Sequence, residues 1–311
     1  MNGHPARSVH RALLSVAALA CVALLAATFA GHAQARTVTA GANSSTASSN
    51  SRPPVTAGSN YLALGDSVTF GYQESNTNPP PDYGDPSSLI GFPEDVASDL
   101  GLTVNNAACP GETSSSFINV TAQSNGCESS YPSGPGYRQV YPLHVSYSRS
   151  QLRHAVKYLK KTPDVTLVSL MIGANDYLLC QEETSDQCSS TSEQDALFAT
   201  LRHNLKTILG SIRSVYHGQL VLVDYYSPTH DLDGVTEVSD AFENRVASHY
   251  HVQVADGYGA FMQAEASAGD ADDPCAAGLL TVLTSGGCGI HPSAAGQTVL
   301  AQAVEAVVQT S

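Results

Sequence analysis

Residues 165–176 read VTLVSLMIGAND, a nearly unbroken apolar run that stops at a glycine and is followed by small and polar residues. A short run of this kind is typical of a central strand in a parallel sheet, where helices cover both faces. The preceding segment, 150–160, places its apolar side chains on one helical face, and 219–225 is the next apolar run. The stretch therefore predicts a strand flanked by helices, which is the repeating unit of an α/β fold.

The same alternation of strand and helix patterns continues in both directions along the chain. Further strands are expected at 61–64, 103–104 and 252–255, and further helices at 92–100, 192–216, 238–250 and 292–308. Two segments rich in Pro, Gly and Tyr, 76–88 and 125–138, are expected to be surface loops. Together the pattern predicts a three-layer α/β/α sandwich with a mainly parallel five-stranded sheet.

The N-terminus has the features of an export signal. Arg7 and Arg11 precede an apolar stretch over 12–30, and Ala33-Gln34-Ala35 fits the small-residue site that a signal peptidase cleaves. We therefore expect residues 1–35 to be a signal peptide and the protein to be secreted. An uncleaved membrane anchor is the alternative, because the apolar stretch is long for a signal.

Charge and composition limit what the remaining chain can be. Residues 36–60, rich in Ser, Thr and Ala, are expected to be a flexible linker before a folded domain over 61–311. The 276 residues after the expected signal carry a net charge of −16, which argues against a nucleic-acid partner. Hydrophobic residues make up 42% of the 311-residue chain, enough for one large core, and no stable membrane insertion is expected after signal cleavage.

Six cysteines follow the expected signal, and Cys21 lies within it. An even number of cysteines in an exported chain indicates disulfides, and these six fall into three couples that each close a short loop rich in Ser, Gly and Pro. The predicted pairs are Cys109–Cys127, Cys180–Cys188 and Cys275–Cys288. The chain contains no C-x-x-C or H-E-x-x-H pattern, so we expect neither a metal site nor a cofactor.

Four short blocks stand where predicted strands end or where the last helix begins. They contain Ser67 after Gly65-Asp66, Gly111 within the sequence ACPGET, Asn175 after the buried third strand, and His291. The carboxyl ends of parallel strands meet at one edge of the sheet, where open α/β folds bind ligands. We therefore expect the four residues to lie close together.

These blocks, in this order, resemble those of the SGNH, or GDSL, hydrolase family over residues 61–308, and ACPGET is similar to secreted actinobacterial esterases and lipases. The resemblance implies a flavodoxin-like fold and a secreted, monomeric esterase or lipase that acts on an ester or lipid. A serine needs a base to become nucleophilic, so Ser67 is the expected nucleophile and His291 the general base. The resemblance further implies that the oxyanion is bound by the N–H groups of Ser67 and Gly111 and the amide of Asn175.

One departure from that family concerns the orientation of the histidine. Most members carry an aspartate three residues before it, but position 288 is a cysteine. We expect a backbone carbonyl near Cys288 to orient His291, with Asp256, Asp272 and Asp273 as alternatives. The missing aspartate leaves open a catalytically silent ligand-binding module on the same scaffold, and an acyltransferase is a further alternative.

Tyrosines in and just after the second predicted loop leave a further alternative open. We expect Tyr131, Tyr137 and Tyr141, together with Arg138, to pack as ordinary surface-loop residues, and the alternative is that they line an acyl or sugar groove.

Overall fold

The computed structural model describes residues 52–270 and 272–311. The expected signal peptide and the first part of the expected linker lie outside these residues. The described end of that linker is folded: Val55 is buried, and its N–H donates to the Gln309 carbonyl at 2.7 Å. Arg52 donates to the His251 carbonyl at 2.8 Å. The expected linker boundary at residue 60 is therefore too late, because these contacts join 52–60 to the domain.

The five strands form one parallel sheet in the order β2-β1-β3-β4-β5. Their bounds are β1 Asn60–Gly65, β2 Thr103–Asn106, β3 Val165–Met171, β4 Gln219–Val223 and β5 Gln253–Ala255. This is the flavodoxin-like strand order, and the predicted fold is confirmed. The order changes direction between β1 and β3, so the carboxyl ends of these two strands open onto the crevice where such folds bind ligands.

Helices cover both faces of the sheet. They are α1 Ser67–Phe70, α2 Phe92–Leu100, α3 Ser114–Ile118, α4 Tyr137–Val140, α5 Gln151–Lys161, α6 Ala174–Glu183, α7 Thr191–Arg213, α8 Asp233–His249, α9 Gly257–Ala268 and α10 Ala294–Glu305. Sequence analysis did not predict the short helices α1, α3 and α4, nor the longer helices α6 and α9. The segment of α9 has glycines at its first and third positions and shows no clear apolar stripe, so its periodicity gives little signal. No helix in the described ranges is long and apolar enough to cross a bilayer.

Alternating side chains of the strands build a core on each side of the sheet. Leu62 and Leu170 face the cluster that contains apolar residues of α5, α7 and α8. Tyr61 and Leu167 face the opposite cluster, which α2, α9 and α10 complete. Burying a side chain of this size stabilises the fold by about 1.5–3 kcal/mol, so the central strands hold their carboxyl ends firmly.

A two-stranded antiparallel hairpin lies outside the main sheet and was not predicted. It pairs β6, Leu280–Val282, with β7, Cys288–Pro292. The three disulfides join Cys109 to Cys127, Cys180 to Cys188 and Cys275 to Cys288, the same pairs that the sequence predicts. Such bonds are typical of proteins outside the cytosol. The third fixes the first residue of β7, the strand that carries His291.

Candidate active site

Ser67 is the first residue of α1, directly after the central strand β1. The turn requires Gly65, whose φ is +149° and whose missing Cβ would lie 2.3 Å from the Met171 carbonyl oxygen. Asp66 caps α1 by accepting a hydrogen bond from the Val68 N–H at 3.1 Å. Ser67 is 9% exposed, and its hydroxyl has no hydrogen-bond partner among the described residues. The strand end and the cap therefore present a serine hydroxyl at the edge of the sheet.

His291 lies on β7, and a carboxylate orients its ring. Its Nδ1 is 2.9 Å from Oε1 of Glu74, and the same oxygen accepts from the backbone N–H groups of Ile290 at 2.7 Å and His291 at 3.2 Å. The other carboxylate oxygen of Glu74 accepts from the Thr281 hydroxyl. Because Nδ1 faces the carboxylate, Nε2 is the ring nitrogen left for proton transfer.

The environment of Glu74 keeps its carboxylate ionised. Burial by itself raises the pKa of Glu74, but the hydrogen bond from His291, the charge of that ring and the Thr281 hydroxyl outweigh it and lower the pKa to about 2. A carboxylate held at Nδ1 fixes the tautomer of the imidazole and stabilises the imidazolium that forms during acyl transfer.

This contact corrects the expected orientation of His291. The ring bonds to Glu74 rather than to a carbonyl near Cys288, and none of the three alternative aspartates takes part. Asp256 caps α9 through the Gly259 N–H at 2.7 Å, and Asp273 accepts from the Ala276 N–H at 2.9 Å. Asp272 lies 3.4 Å from a ring nitrogen of His230. Sequence analysis missed Glu74 because 217 residues separate it from His291.

Gly111 occupies a loop that only glycine fits. Its φ is +79°, and a Cβ there would lie 2.5 Å from the Cα of Gly126. The Asn125 N–H donates to the Gly111 carbonyl at 2.8 Å, and the neighbouring Cys109–Cys127 disulfide joins the two segments. The Gly111 N–H, by contrast, has no acceptor in the described part of the chain. It is thus available to a ligand in the cavity.

Asn175 lies in the first turn of α6, just past the end of β3. Its amide nitrogen donates to the Asp66 carboxylate at 3.0 Å, and its carbonyl oxygen accepts from the Asn125 amide at 3.3 Å. A carboxamide nitrogen has two hydrogens, so one remains for a ligand. Asn125 thus contacts both Gly111 and Asn175, a link that no sequence motif marks.

Two buried carboxyl groups, Asp66 and Asp176, accept hydrogen bonds from residues in and around the candidate site. Burial raises the pKa of Asp66 to about 6, against hydrogen bonds from Tyr225, Val68 and Asn175. Burial likewise raises the pKa of Asp176 to about 6, against hydrogen bonds from the hydroxyl and N–H of Ser114. Each carboxyl group orients backbone and side-chain donors in neighbouring segments.

A single cavity of about 400 Å³ is lined by all four residues predicted for the site: Ser67, Gly111, Asn175 and His291. The part of its wall that α6, α7 and the start of α8 supply, called the apolar end below, includes Leu178, Phe198, Leu201, Leu232 and Val235. Tyr72 and Tyr137 also line the cavity, and the Tyr72 ring contacts the His291 ring with centroids 4.9 Å apart.

Tyr137 takes the groove-lining role considered for the loop residues, whereas Arg138 takes the packing role. Tyr137 lines the cavity, as the groove alternative requires, and Tyr141 packs against it with ring centroids 5.2 Å apart. Arg138 instead pairs with Glu128 at 3.1 Å and lies over the Tyr147 ring, which is structural packing.

Comparison with known proteins gives a family and a set of similar folds. A model of the GDSL-like lipase/acylhydrolase family matches residues 63–299. Phospholipase A1 from Streptomyces albidoflavus NA297 is 19% identical, with a TM-score of 0.50 over 80% of this chain and 98% of that one. The α/β hydrolase LAE5, from the metagenome of Lake Arreo, is 17% identical, with a TM-score of 0.49 over 81% and 95% of the two chains.

The acetylxylan esterase Axe2 from Geobacillus stearothermophilus is 15% identical, with a TM-score of 0.46 over 81% of this chain and 94% of that one. No curated protein matches the chain. The family model covers most of the chain, including all four of the blocks that resemble it, so the resemblance is confirmed. The chain belongs to the GDSL-like lipase/acylhydrolase family, and it is an ester hydrolase.

Proposed function

We propose that the protein is a secreted serine esterase or lipase that hydrolyses carboxylic esters through an acyl-enzyme on Ser67. The observation that carries the proposal is the hydrogen bond of 2.9 Å between Glu74 and Nδ1 of His291, on the wall of the cavity that also contains Ser67. A carboxylate, an imidazole and a hydroxyl in this order form the arrangement that activates a serine.

The reaction proceeds in two steps of acyl transfer. Nε2 of His291 takes the hydroxyl proton as Oγ of Ser67 attacks the ester carbonyl, and it returns that proton to the leaving alcohol. Water then attacks the acyl-enzyme by the same route and releases the acid. The N–H groups of Ser67 and Gly111 and the free N–H of the Asn175 amide stabilise the oxyanion in both steps.

The apolar end of the cavity supports an acyl chain longer than acetyl as the substrate's acid portion. Leu178, Phe198 and Leu201 line it. Apolar walls favour burial of methylene groups at about 0.8 kcal/mol each. A cavity of about 400 Å³ is within the ordinary range for small-molecule sites.

One observation concerns a rival function and another concerns export. The missing aspartate favours a silent ligand-binding module, but Glu74 supplies the carboxylate that such a module would lack. Export is supported by the three disulfides and by the signal-like pattern over residues 1–35.

Labelling with a serine-directed phosphonate, together with hydrolysis of p-nitrophenyl esters graded by acyl length, tests the proposal. We expect stoichiometric labelling at Ser67, and loss of both labelling and hydrolysis in Ser67→Ala. Ser87→Ala is the matched control, because Ser87 is an exposed serine outside the cavity. Hydrolysis that persists in Ser67→Ala, or labelling at another residue, would refute the assignment.

A further inference from the structure

One surface region, formed by residues within 138–163, is positively charged although the protein as a whole is acidic. The described residues include 28 acidic and 11 basic side chains, yet residues 138–163 contain six of those basic residues and no acidic one. Arg138 is paired with Glu128. The other five are exposed and form no salt bridge with any described residue: Arg149, Arg153, Lys157, Lys160 and Lys161.

Three of these cations line one of two adjoining grooves on the side of the domain. The first, of about 480 Å³, runs between α5 and the end of α7, and Arg149, Arg153 and Lys160 line it. The second, of about 510 Å³, shares Ser211 and Ser214 with the first and is lined by His203 and Lys206. No acidic residue lines either groove in the described part of the chain.

The row of cations on α5 does not stabilise the helix. Arg153 and Lys157 are four residues apart on α5, as are Lys157 and Lys161, and like charges at this spacing each destabilise a helix by about 0.2–0.5 kcal/mol. Arg153 also lies in the first turn, where the helix dipole disfavours a cation. Only the lysines of the last turn are favoured by the dipole.

We infer that the grooves beside α5 bind a linear polymer that carries a phosphate group in every repeat. Arg153, Lys157 and Lys160 follow one another at spacings of four and three residues, so their charges repeat at about one helical turn, roughly 5 Å. Lys206 adds a cation from α7 in the adjoining groove. An extended polyanion meets these charges along its length and releases its counterions.

The shape and chemistry of the grooves disfavour two other anionic partners. Lys206 and the cations of α5 are exposed, so a flat bilayer would rest on them without filling the grooves. A nucleic acid would find no aromatic side chain for base stacking among the described residues that line the first groove; His203 and Tyr250 line only the second groove, so the test below includes oligothymidylate.

The test measures binding of fluorescently labelled long-chain inorganic polyphosphate to the full protein at several salt concentrations. We expect the logarithm of the affinity to fall with the logarithm of salt concentration at a slope of about −2 to −3, as for three or four phosphate contacts. Arg153→Glu should weaken binding by about tenfold and flatten the slope by about 1. Lys160→Glu repeats the test at the other end of the groove.

Arg245→Glu is the matched control, since Arg245 is an exposed arginine on α8 that lines neither groove. Ester hydrolysis should stay unchanged in all variants, which reports on their folding. Equal weakening by Arg245→Glu would overturn the inference, as would no weakening by either groove variant. Binding to phosphatidylglycerol vesicles but not to polyphosphate, or tighter binding to oligothymidylate than to polyphosphate, would also overturn it.

Discussion

Replacing Glu74 by glutamine removes the charge behind His291 while preserving the shape of the side chain. The amide oxygen can still accept from the N–H groups of Ile290 and His291 and from Nδ1, so the ring keeps its orientation. Lowering the pKa of Glu74 from 4.5 to about 2 corresponds to roughly 3 kcal/mol in favour of the charged form, but the Thr281 hydroxyl supplies part of it and solvent screens this half-buried site. We therefore expect loss of the charge behind the imidazolium to cost about 1.5–3 kcal/mol in the transition state, which lowers kcat by roughly ten- to a hundredfold and leaves KM nearly unchanged.

The assay compares kcat and KM on one p-nitrophenyl ester for the wild type, Glu74→Gln and Asp82→Asn. Asp82 is an exposed carboxylate in the same loop and accepts a hydrogen bond from the Gly84 N–H, which an asparagine can also do. The control should retain the wild-type kcat. A kcat for folded Glu74→Gln within about threefold of the wild type would refute a role for the charge and leave Glu74 only a structural role.

Two other predictions concern the supports of the site. Asn175→Ala removes one oxyanion donor and should lower kcat by roughly two to three powers of ten with little change in KM, and unchanged turnover in the folded variant would exclude the role. Because burial raises the pKa of Asp176 to about 6, its contribution to stability is full below pH 4 and is lost as the pH rises through 6. Denaturant unfolding of the wild type and Asp176→Asn should therefore show a difference in unfolding free energy that changes by about 3 kcal/mol between pH 4 and pH 7; a constant difference would contradict the assignment.

The fold could be predicted because its strongest signals are local. The run at 165–172 and its helical neighbours show their periodicity within a few residues of each other, and the observed sheet uses all five predicted strands. The hairpin of β6 and β7 gave no such signal, since its strands are only three and five residues long. The buried contacts of Val55 likewise depend on the far C-terminus rather than on its own neighbours.

Within the candidate site, the groups that follow strands or precede the last helix were predictable, and the groups that support them were not. Ser67, Gly111 and Asn175 follow strand ends, a position that sequence reveals. Glu74 and Asn125 act through contacts between loops, and nothing in their own segments distinguishes them from other polar loop residues. Asp272 and Asp273 are near position 288 in sequence, but chain proximity does not determine which loops meet, and the carboxylate at His291 comes from residue 74.

The position of Glu74 also determines how the site is assembled. Ser67 and Glu74 belong to one segment at the end of β1, whereas His291 comes from a hairpin at the other end of the chain. Two hydrogen bonds join that hairpin to the Glu74 loop: the Thr284 N–H donates to the Asn76 carbonyl at 2.7 Å, and the Thr281 hydroxyl donates to Glu74. The imidazole is thus oriented by main-chain docking as well as by the carboxylate. Weakening the hydrogen bonds between the hairpin and the Glu74 loop should lower kcat before it affects substrate binding, because other helices line the apolar end of the cavity.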